Sequence, residues 1–262
     1  MDYTFNTIKC DLEDNIMLVT INRPEVMNAL NEEVFRELET AFTRMRKDQD
    51  IKVVVITGAG EKSFAAGTDI TNMAKFPLVE ARRFAGEIVF GGQQAIADYP
   101  RPVIAAINGF CFGGGCEIAM CCDIRVASEK AKFGQLEINV GIIPGGGGTQ
   151  RLQRLIGIGL TKEMVYSGQI INGQRAYEIG LVNHVVPHEQ VLEKAMEIAK
   201  AINQKSGFIL ELAKSAINKG SDVDLETGLK TEIELFAECF ATSDQKEGMA
   251  AFIEKRKAQF TL

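Results

Sequence analysis

Two glutamates in this sequence stand where surface carboxylates ordinarily do not. Glu117 follows the triplet Gly113-Gly114-Gly115 and is flanked by Cys116, Ile118, Ala119 and Met120. Glu137 lies in Phe133-Gly134-Gln135-Leu136-Glu137-Ile138, again beside a glycine and apolar neighbours. A charge in such surroundings is costly unless it has a partner or a task. Two such acids, each next to a glycine-rich turn, are what general acid–base work needs if one is to stay protonated near neutral pH. Ordinary readings remain for each alone: a glutamate near a helix N-terminus stabilises the dipole, and Glu137 also fits a loop or a helix cap. The triplet lets a ligand approach the backbone, and the dipole of the helix opening there would stabilise a carbonyl oxygen that gains negative charge. It equally permits tight packing of helix on strand.

Two further segments border on chemistry. Lys62-Ser63-Phe64-Ala65-Ala66-Gly67-Thr68-Asp69-Ile70 is built of small residues and follows a strand, as ligand-presenting loops do. Ile143-Pro144-Gly145-Gly146-Gly147-Gly148-Thr149 opens a helix and is read as a loop-shaping element near the site, with a second anion site as the alternative. Other machinery fails on spacing. Gly58 and Gly60 are followed by Ser63 where a dinucleotide fingerprint needs its third glycine, and Glu61 precedes Lys62-Ser63 where a phosphate loop needs glycine. With His184 and His188 the only histidines, a serine or cysteine triad is disfavoured. The six cysteines, four of them within residues 111–122, lack metal-site spacing and read as buried reduced thiols, so no metal is expected.

The elements that must position these residues alternate. Residues 15–22 read as a strand stopped by Arg23-Pro24; Leu30, Val34, Leu38, Phe42 and Met45 form a helical apolar stripe. Residues 51–57 form a β-branched strand of the kind covered on both faces, a long helical stretch spans about 79–98, and residues 103–108 form a third strand. A short helix follows the triplet, then a strand near 124–127. Strands alternating with helical crossovers imply an α/β architecture. From about residue 188 onward only helical periodicity remains, and the stripe Leu225, Leu229, Ile233, Phe236, Phe240 needs a partner. It either folds back on its own core or packs against another subunit, which makes a homo-oligomer the expectation.

Composition sets bounds on partners. A net charge of −6 and a pI near 5.2 argue against a sequence-independent grip on nucleic acid or anionic lipid. The N-terminal residues show no signal-peptide pattern, and no window approaches a membrane span, so a cytoplasmic protein is expected.

In order and spacing these segments resemble the crotonase, or enoyl-CoA hydratase/isomerase, superfamily. The resemblance runs from Asn22-Arg23-Pro24 and Asn28-Ala29-Leu30, through the loops after Phe64, Gly109 and Phe133 and the run from Pro144 to Leu152, to Ala251-Phe252 near the end. It implies a spiral of ββα turns over residues 1–190 and a C-terminal helical region, 191–262, that builds trimers, usually paired into hexamers. It also implies that the amides of Thr68 and Gly114 form an oxyanion hole for a thioester carbonyl. Ala66, Thr68, Asp69, Ile70 and Gly114 would bind substrate and its coenzyme A arm. The positions of Glu117 and Glu137 are those of two acids that bind one water: Glu117 as the base activating it, Glu137 as the acid delivering a proton to the α-carbon. The reaction implied is syn addition of water to a trans-2-enoyl-CoA, with an acyl-CoA thioester as the substrate and no separate cofactor. Each well-aimed amide in a dry site lowers such a barrier by about 3 kcal/mol.

Three positions depart from the family pattern. Thr68 replaces a frequent alanine, which matters little because a backbone amide does the work. Thr71 stands where a lysine often meets the coenzyme's phosphates, and Leu136 replaces a frequent proline before the second glutamate. Within the superfamily the rivals are a Δ3,Δ2-enoyl isomerase, which typically works with one acid, and a methylglutaconyl-CoA hydratase, which residues 142–152 and 213–220 also resemble. An RNA-binding homologue with a vestigial site is the non-enzymatic alternative, disfavoured by the acidic balance.

Overall fold

The computed structural model describes residues 1–261, apart from the side chain of Asn72. The chain opens on a hairpin: β1 (Ile8–Glu13) pairs antiparallel with β2 (Ile16–Ile21), Glu13 opposite Ile16. Between them Asp14 and Asn15 take φ of 50° and 63°, the left-handed pair that closes a two-residue turn without splaying the strands. The strand expected over 15–22 is β2. Its partner β1 is additional, an edge strand alternating Ile8, Cys10 and Leu12 with charged residues and too mixed to register as an apolar run. Next comes α1 (Glu32–Met45), capped by Asn31, whose side chain accepts from the Val34 amide at 3.0 Å. Val34, Leu38, Phe42 and Met45 of the expected stripe, joined by Phe35 and Ala41, are its buried face; Leu30 lies ahead of the helix, bridged to Thr68.

Three turns of one motif follow. The first is β3 (Val53–Gly58), β4 (Ser63–Ala65), the short α2 (Ile70–Met73), then α3 (Leu78–Arg83) running through a π-helical turn at Phe84–Val89 into α4 (Phe90–Ala97). The second is β5 (Val103–Ile107), β6 (Phe110–Phe112) and α5 (Gly114–Cys121). The third is β7 (Ile124–Ser128), β8 (Lys132–Gly134), a 3-10 turn at Glu137–Val140, then α6 (Gly148–Ile156) and α7 (Ile158–Ser167). The chain then adds β9 (Ile171–Asn172), α8 (Gly173–Glu178) and β10 (His184–Val186) before four helices: α9 (Val191–Asn203), α10 (Gly207–Ser221), α11 (Leu225–Cys239) and α12 (Ser243–Ile253).

Each turn places its first strand in a six-stranded sheet of order β1-β2-β3-β5-β7-β10, parallel from β2 onward. The second strand joins a smaller sheet of order β4-β6-β8-β9, whose first three strands are parallel. Parallel neighbours need a crossover, and advancing one place per turn in both sheets winds the chain into a spiral. The large sheet is covered on both faces. Val54 and Ile56 of β3 pack with Leu38, Phe42 and Ile96, while Val53 and Val55 pack with Val191, Ala195 and Ala199 of α9.

Thus α9 completes the layered core, although it lies within the residues 191–262 assigned to the helical tail. Beyond it α10 is anchored by charge: Lys214 Nζ meets Asp123 Oδ2 at 2.7 Å, and Arg101 Nε meets Glu211 Oε1 at 3.0 Å. None of the residues of α11 is buried, and its stripe from Leu225 to Phe240 is 46–78% exposed in the single chain. Among the described residues no helix is long and apolar enough to cross a membrane.

Candidate active site

The small sheet creates the site. Strands β4, β6 and β8 are parallel neighbours, so the segments leaving their C-terminal ends emerge side by side at one edge. Those segments are Ala66 to Ile70, Gly113 to Glu117, and Gln135 to Glu137. One step of the spiral therefore separates each successive pair of these segments.

Two backbone amides converge between the first two segments. The Leu30 amide donates to Gly67 O at 2.9 Å and the Asp69 amide donates to Leu30 O at 2.8 Å. In a parallel bridge this turns the intervening amide of Thr68 to the opposite side. That side is Gly114: a Cβ built there would stand 3.5 Å from Thr68 N and 2.6 Å from Thr68 Oγ1. Gly114 is the first residue of α5, so its own amide has no carbonyl within the helix to meet. The two N–H groups thus border one space, at the positive end of a helix dipole.

Glu117 sits in the first turn of α5 and is 2% exposed. Its Oε1 accepts from the amides of Gly146 and Gly148 at 2.9 and 2.7 Å. The glycine run is therefore a carboxylate ligand rather than only a loop-shaping element. A Cβ on Gly148 would stand 2.9 Å from Oε1, Gly147 holds φ at +100°, and Arg151 Nη1 pins the loop by donating to Gly146 O at 3.0 Å. Burial raises the pKa of Glu117, while the amides of Gly148 and Gly146, then Gln93 and Arg151, draw it back toward the charged form.

Glu137 begins the 3-10 turn after β8, and its carboxyl lies against the N-cap of α5. A Cβ on Gly113, whose φ is +46°, would stand 2.8 Å from Glu137 Oε1, so the cap admits only glycine on steric and backbone grounds together. Burial lifts the Glu137 pKa to about 7; its own backbone amide opposes this, and the charge of Glu117 adds to it. Between the acids lies the fully buried side-chain amide of Gln135. Turned with its nitrogen toward Glu137, it stands 3.3 Å from both carboxylate oxygens, and that same end of the amide abuts Gly148 beside Glu117 Oε1. The acids share one site.

The residues expected to hold the coenzyme arm flank it. Ala66 and Thr68 are half-buried, and Ile70 is 51% exposed. Asp69 is committed to its neighbours: Thr71 donates to Oδ1 through its hydroxyl at 2.6 Å and its amide at 3.1 Å, and Arg23 Nη2 lies 3.9 Å from Oδ2. Neither histidine joins these groups; His188 Nδ1 instead meets Ser128 Oγ at 3.1 Å. The residues that sequence reasoning passed over are Gly146 and Gly148 as donors to Glu117, Gln135 between the acids, and Gln93 beside them. For the glycines a signal was present, since a buried acid needs donors and a glycine run opening a helix supplies free amides. For the glutamines there was none, because nothing in their local pattern tells an inward amide from an outward one.

Comparison with known proteins agrees with this geometry. Residues 11–262 match the family model described as enoyl-CoA hydratase/isomerase. The chain is 46% identical over 258 residues to a crotonyl-CoA hydratase of Syntrophomonas wolfei, covering 98% of each. It is 46% identical over 256 residues to a short-chain-enoyl-CoA hydratase of Clostridium acetobutylicum, covering 97% of each. Among solved structures, an enoyl-CoA hydratase from Bacillus anthracis superposes with a TM-score of 0.94 at 40% identity, over 97% of this chain and 99% of that one. A two-sheet spiral with paired acids and paired amides at one edge, matched nearly end to end, places the chain in the enoyl-CoA hydratase/isomerase family.

Proposed function

We propose that this protein is an enoyl-CoA hydratase, adding water syn across the double bond of a short trans-2-enoyl-CoA to give the 3-hydroxyacyl-CoA. The observation that carries the mechanism is the unequal setting of two acids beside one amide pair. Glu117 has an oxygen tied by two backbone N–H groups, which favour its carboxylate. Glu137 lacks such donors from the glycine run and holds its proton to about pH 7.

The thioester carbonyl accepts from the amides of Thr68 and Gly114, which draws electron density from the β-carbon. Glu117 takes a proton from the water, the hydroxyl bonds to the β-carbon, and Glu137 gives its proton to the α-carbon from the same face. The enzyme returns to its starting state as the two carboxyls re-equilibrate their proton. No further group is asked of the substrate beyond its coenzyme A arm, which Ala66, Thr68, Asp69, Ile70 and Gly114 flank. The Thr71 hydroxyl, at the position where a lysine often meets the phosphates of that arm, is bonded to Asp69 instead. An isomerase needs one acid to shuttle a proton between carbons; two acids, one tied to backbone N–H groups of the glycine run and one without them, suit hydration.

The uncovered stripe on α11 is the proposed contact between copies of the chain, in a homotrimer or a pair of trimers. The test of function is direct: purified protein added to crotonyl-CoA abolishes the absorbance of the conjugated enoyl thioester. Methylglutaconyl-CoA and longer enoyl thioesters in parallel define the acyl preference. No loss of signal with any of them, at stoichiometric enzyme, refutes the assignment.

A further inference from the structure

A third polar side chain borders the acids and has no part in the mechanism so far. Gln93, on the face of α4 that meets α5, is 1% exposed, yet neither its Nε2 nor its Oε1 has a protein partner aligned for a hydrogen bond. Its neighbour Gln94 shows what a committed amide looks like here, donating to Asp98 Oδ1 at 2.8 Å and accepting from Arg151 Nη2 at 3.2 Å. A buried amide left unpaired is destabilising.

The surroundings give the amide a use. The space over the Cα of Gly146, where any other residue would carry its Cβ, is occupied by Glu117 Oε2 together with the Gln93 amide, whose nitrogen stands 2.5 Å and oxygen 2.9 Å from that Cβ position. Glu117 Oε1 is saturated by two backbone amides, whereas Oε2 accepts no aligned hydrogen bond from a described residue. An uncommitted donor and an uncommitted carboxylate oxygen thus face each other across a glycine.

We propose that Gln93 is a positioning residue for Glu117: a small turn of its amide sets Nε2 on Oε2, fixing the plane of the carboxylate and the direction of the oxygen that receives the proton of water. This rests on the reading of Glu117 as the base. Such a donor acts on the charged form of Glu117, so its loss changes both the rate and the pH at which the base ionises.

The experiment compares the parent with Gln93→Met and Gln93→Glu in crotonyl-CoA hydration across pH, with a thermal melt of each to establish folding. For Gln93→Met the expected kcat falls about tenfold, the worth of one hydrogen bond to a charged group, while KM stays within roughly twofold. The acid limb of kcat/KM moves to higher pH, and moves further in Gln93→Glu, where a like charge faces Glu117. A Gln93→Met enzyme with the parent's kcat and acid limb overturns the proposal. So does one in which only KM or acyl-length preference changes, since that marks a pocket wall. Glu117→Gln, run alongside, separates the two claims: full turnover there removes the base and the positioning role together, whereas an inactive Glu117→Gln beside a parent-like Gln93→Met removes Gln93 alone.

Discussion

Raising the Glu137 pKa to about 7 has a thermodynamic consequence that can be measured without substrate. Its carboxyl moves from 4.5 in the unfolded chain to about 7 in the folded one, chiefly because burial penalises the charge. The folded state therefore binds more protons than the unfolded state between those values, so stability falls as pH rises through that window and levels off above it. The full shift corresponds to roughly 3 kcal/mol. Solvent screening of a partly exposed carboxyl reduces the expected effect to about 1–2 kcal/mol. Glu137→Gln keeps the shape and removes the titration. The variant is expected to match the parent's stability near pH 5 and to exceed it above about pH 7, by roughly 3–5 °C in Tm, while hydration of crotonyl-CoA drops at least about a hundredfold. Melting curves of both proteins across that range, with activity taken on the same samples, make the check. A stability difference that does not vary with pH, or a parent that is the more stable form at high pH, refutes the account of Glu137 as a carboxyl held neutral by its setting.

The remaining expectations follow from the same geometry. Glu117→Gln lowers kcat by about two orders of magnitude or more with the fold intact, read from steady-state kinetics and circular dichroism; unchanged turnover removes it from the mechanism. The kcat/KM profile loses activity as pH rises through about 7, because the free enzyme then gives up the Glu137 proton; a plateau extending to pH 9 or so speaks against Glu137 as the acid. Gly148→Ala sets a methyl 2.6 Å from the end of the Gln135 amide and 2.9 Å from Glu117 Oε1, so kcat falls at least about tenfold and unfolding in urea shows a loss of roughly 1–3 kcal/mol. A doubly charged face on α11, Ile233→Asp with Phe236→Asp, reduces the particle mass in light scattering toward that of one chain; an unaltered mass relocates the contact to another surface.

The readable part of the fold was the part with long or strongly patterned elements. The stripe of α1, the β-branched run of β3 and the apolar β5 announce themselves, and with them the alternation of an α/β chain. The small sheet does not. Its strands β4, β6 and β8 are three residues each and β9 is two, too short for any periodicity, and they are held by neighbours from other turns of the spiral rather than by local propensity. The acids were legible because a lone carboxylate among apolar residues is costly and therefore conspicuous. Their ligands were not: an amide N–H from Gly146 or Gly148 leaves no mark in the side-chain sequence, and only the closing of α6 onto α5 brings it to Glu117. The resemblance to a family filled that gap for Thr68 and Gly114 and left it open for Gln93 and Gln135.

The illegible small sheet is nevertheless the element that produces the chemistry. Because β4, β6 and β8 are parallel and adjacent, each turn of the spiral delivers its following segment to the same edge, about one strand spacing, roughly 4.8 Å, from the last. The first segment brings an amide, the second an amide and an acid, the third an acid. That repeat explains the proximity of the two carboxyls, and proximity alone would raise both pKa values together. What distinguishes their settings is the backbone: Glu117 lies on a helix facing the glycine run, whose N–H groups oppose the rise that burial causes, whereas Glu137 begins a 3-10 turn with its carboxyl against the cap of that helix. On the proposed mechanism, the division into base and acid follows from where main-chain amides point. Both side chains are glutamate, so on that mechanism it is the glycines at 113, 146 and 148 that give the two carboxyls different settings.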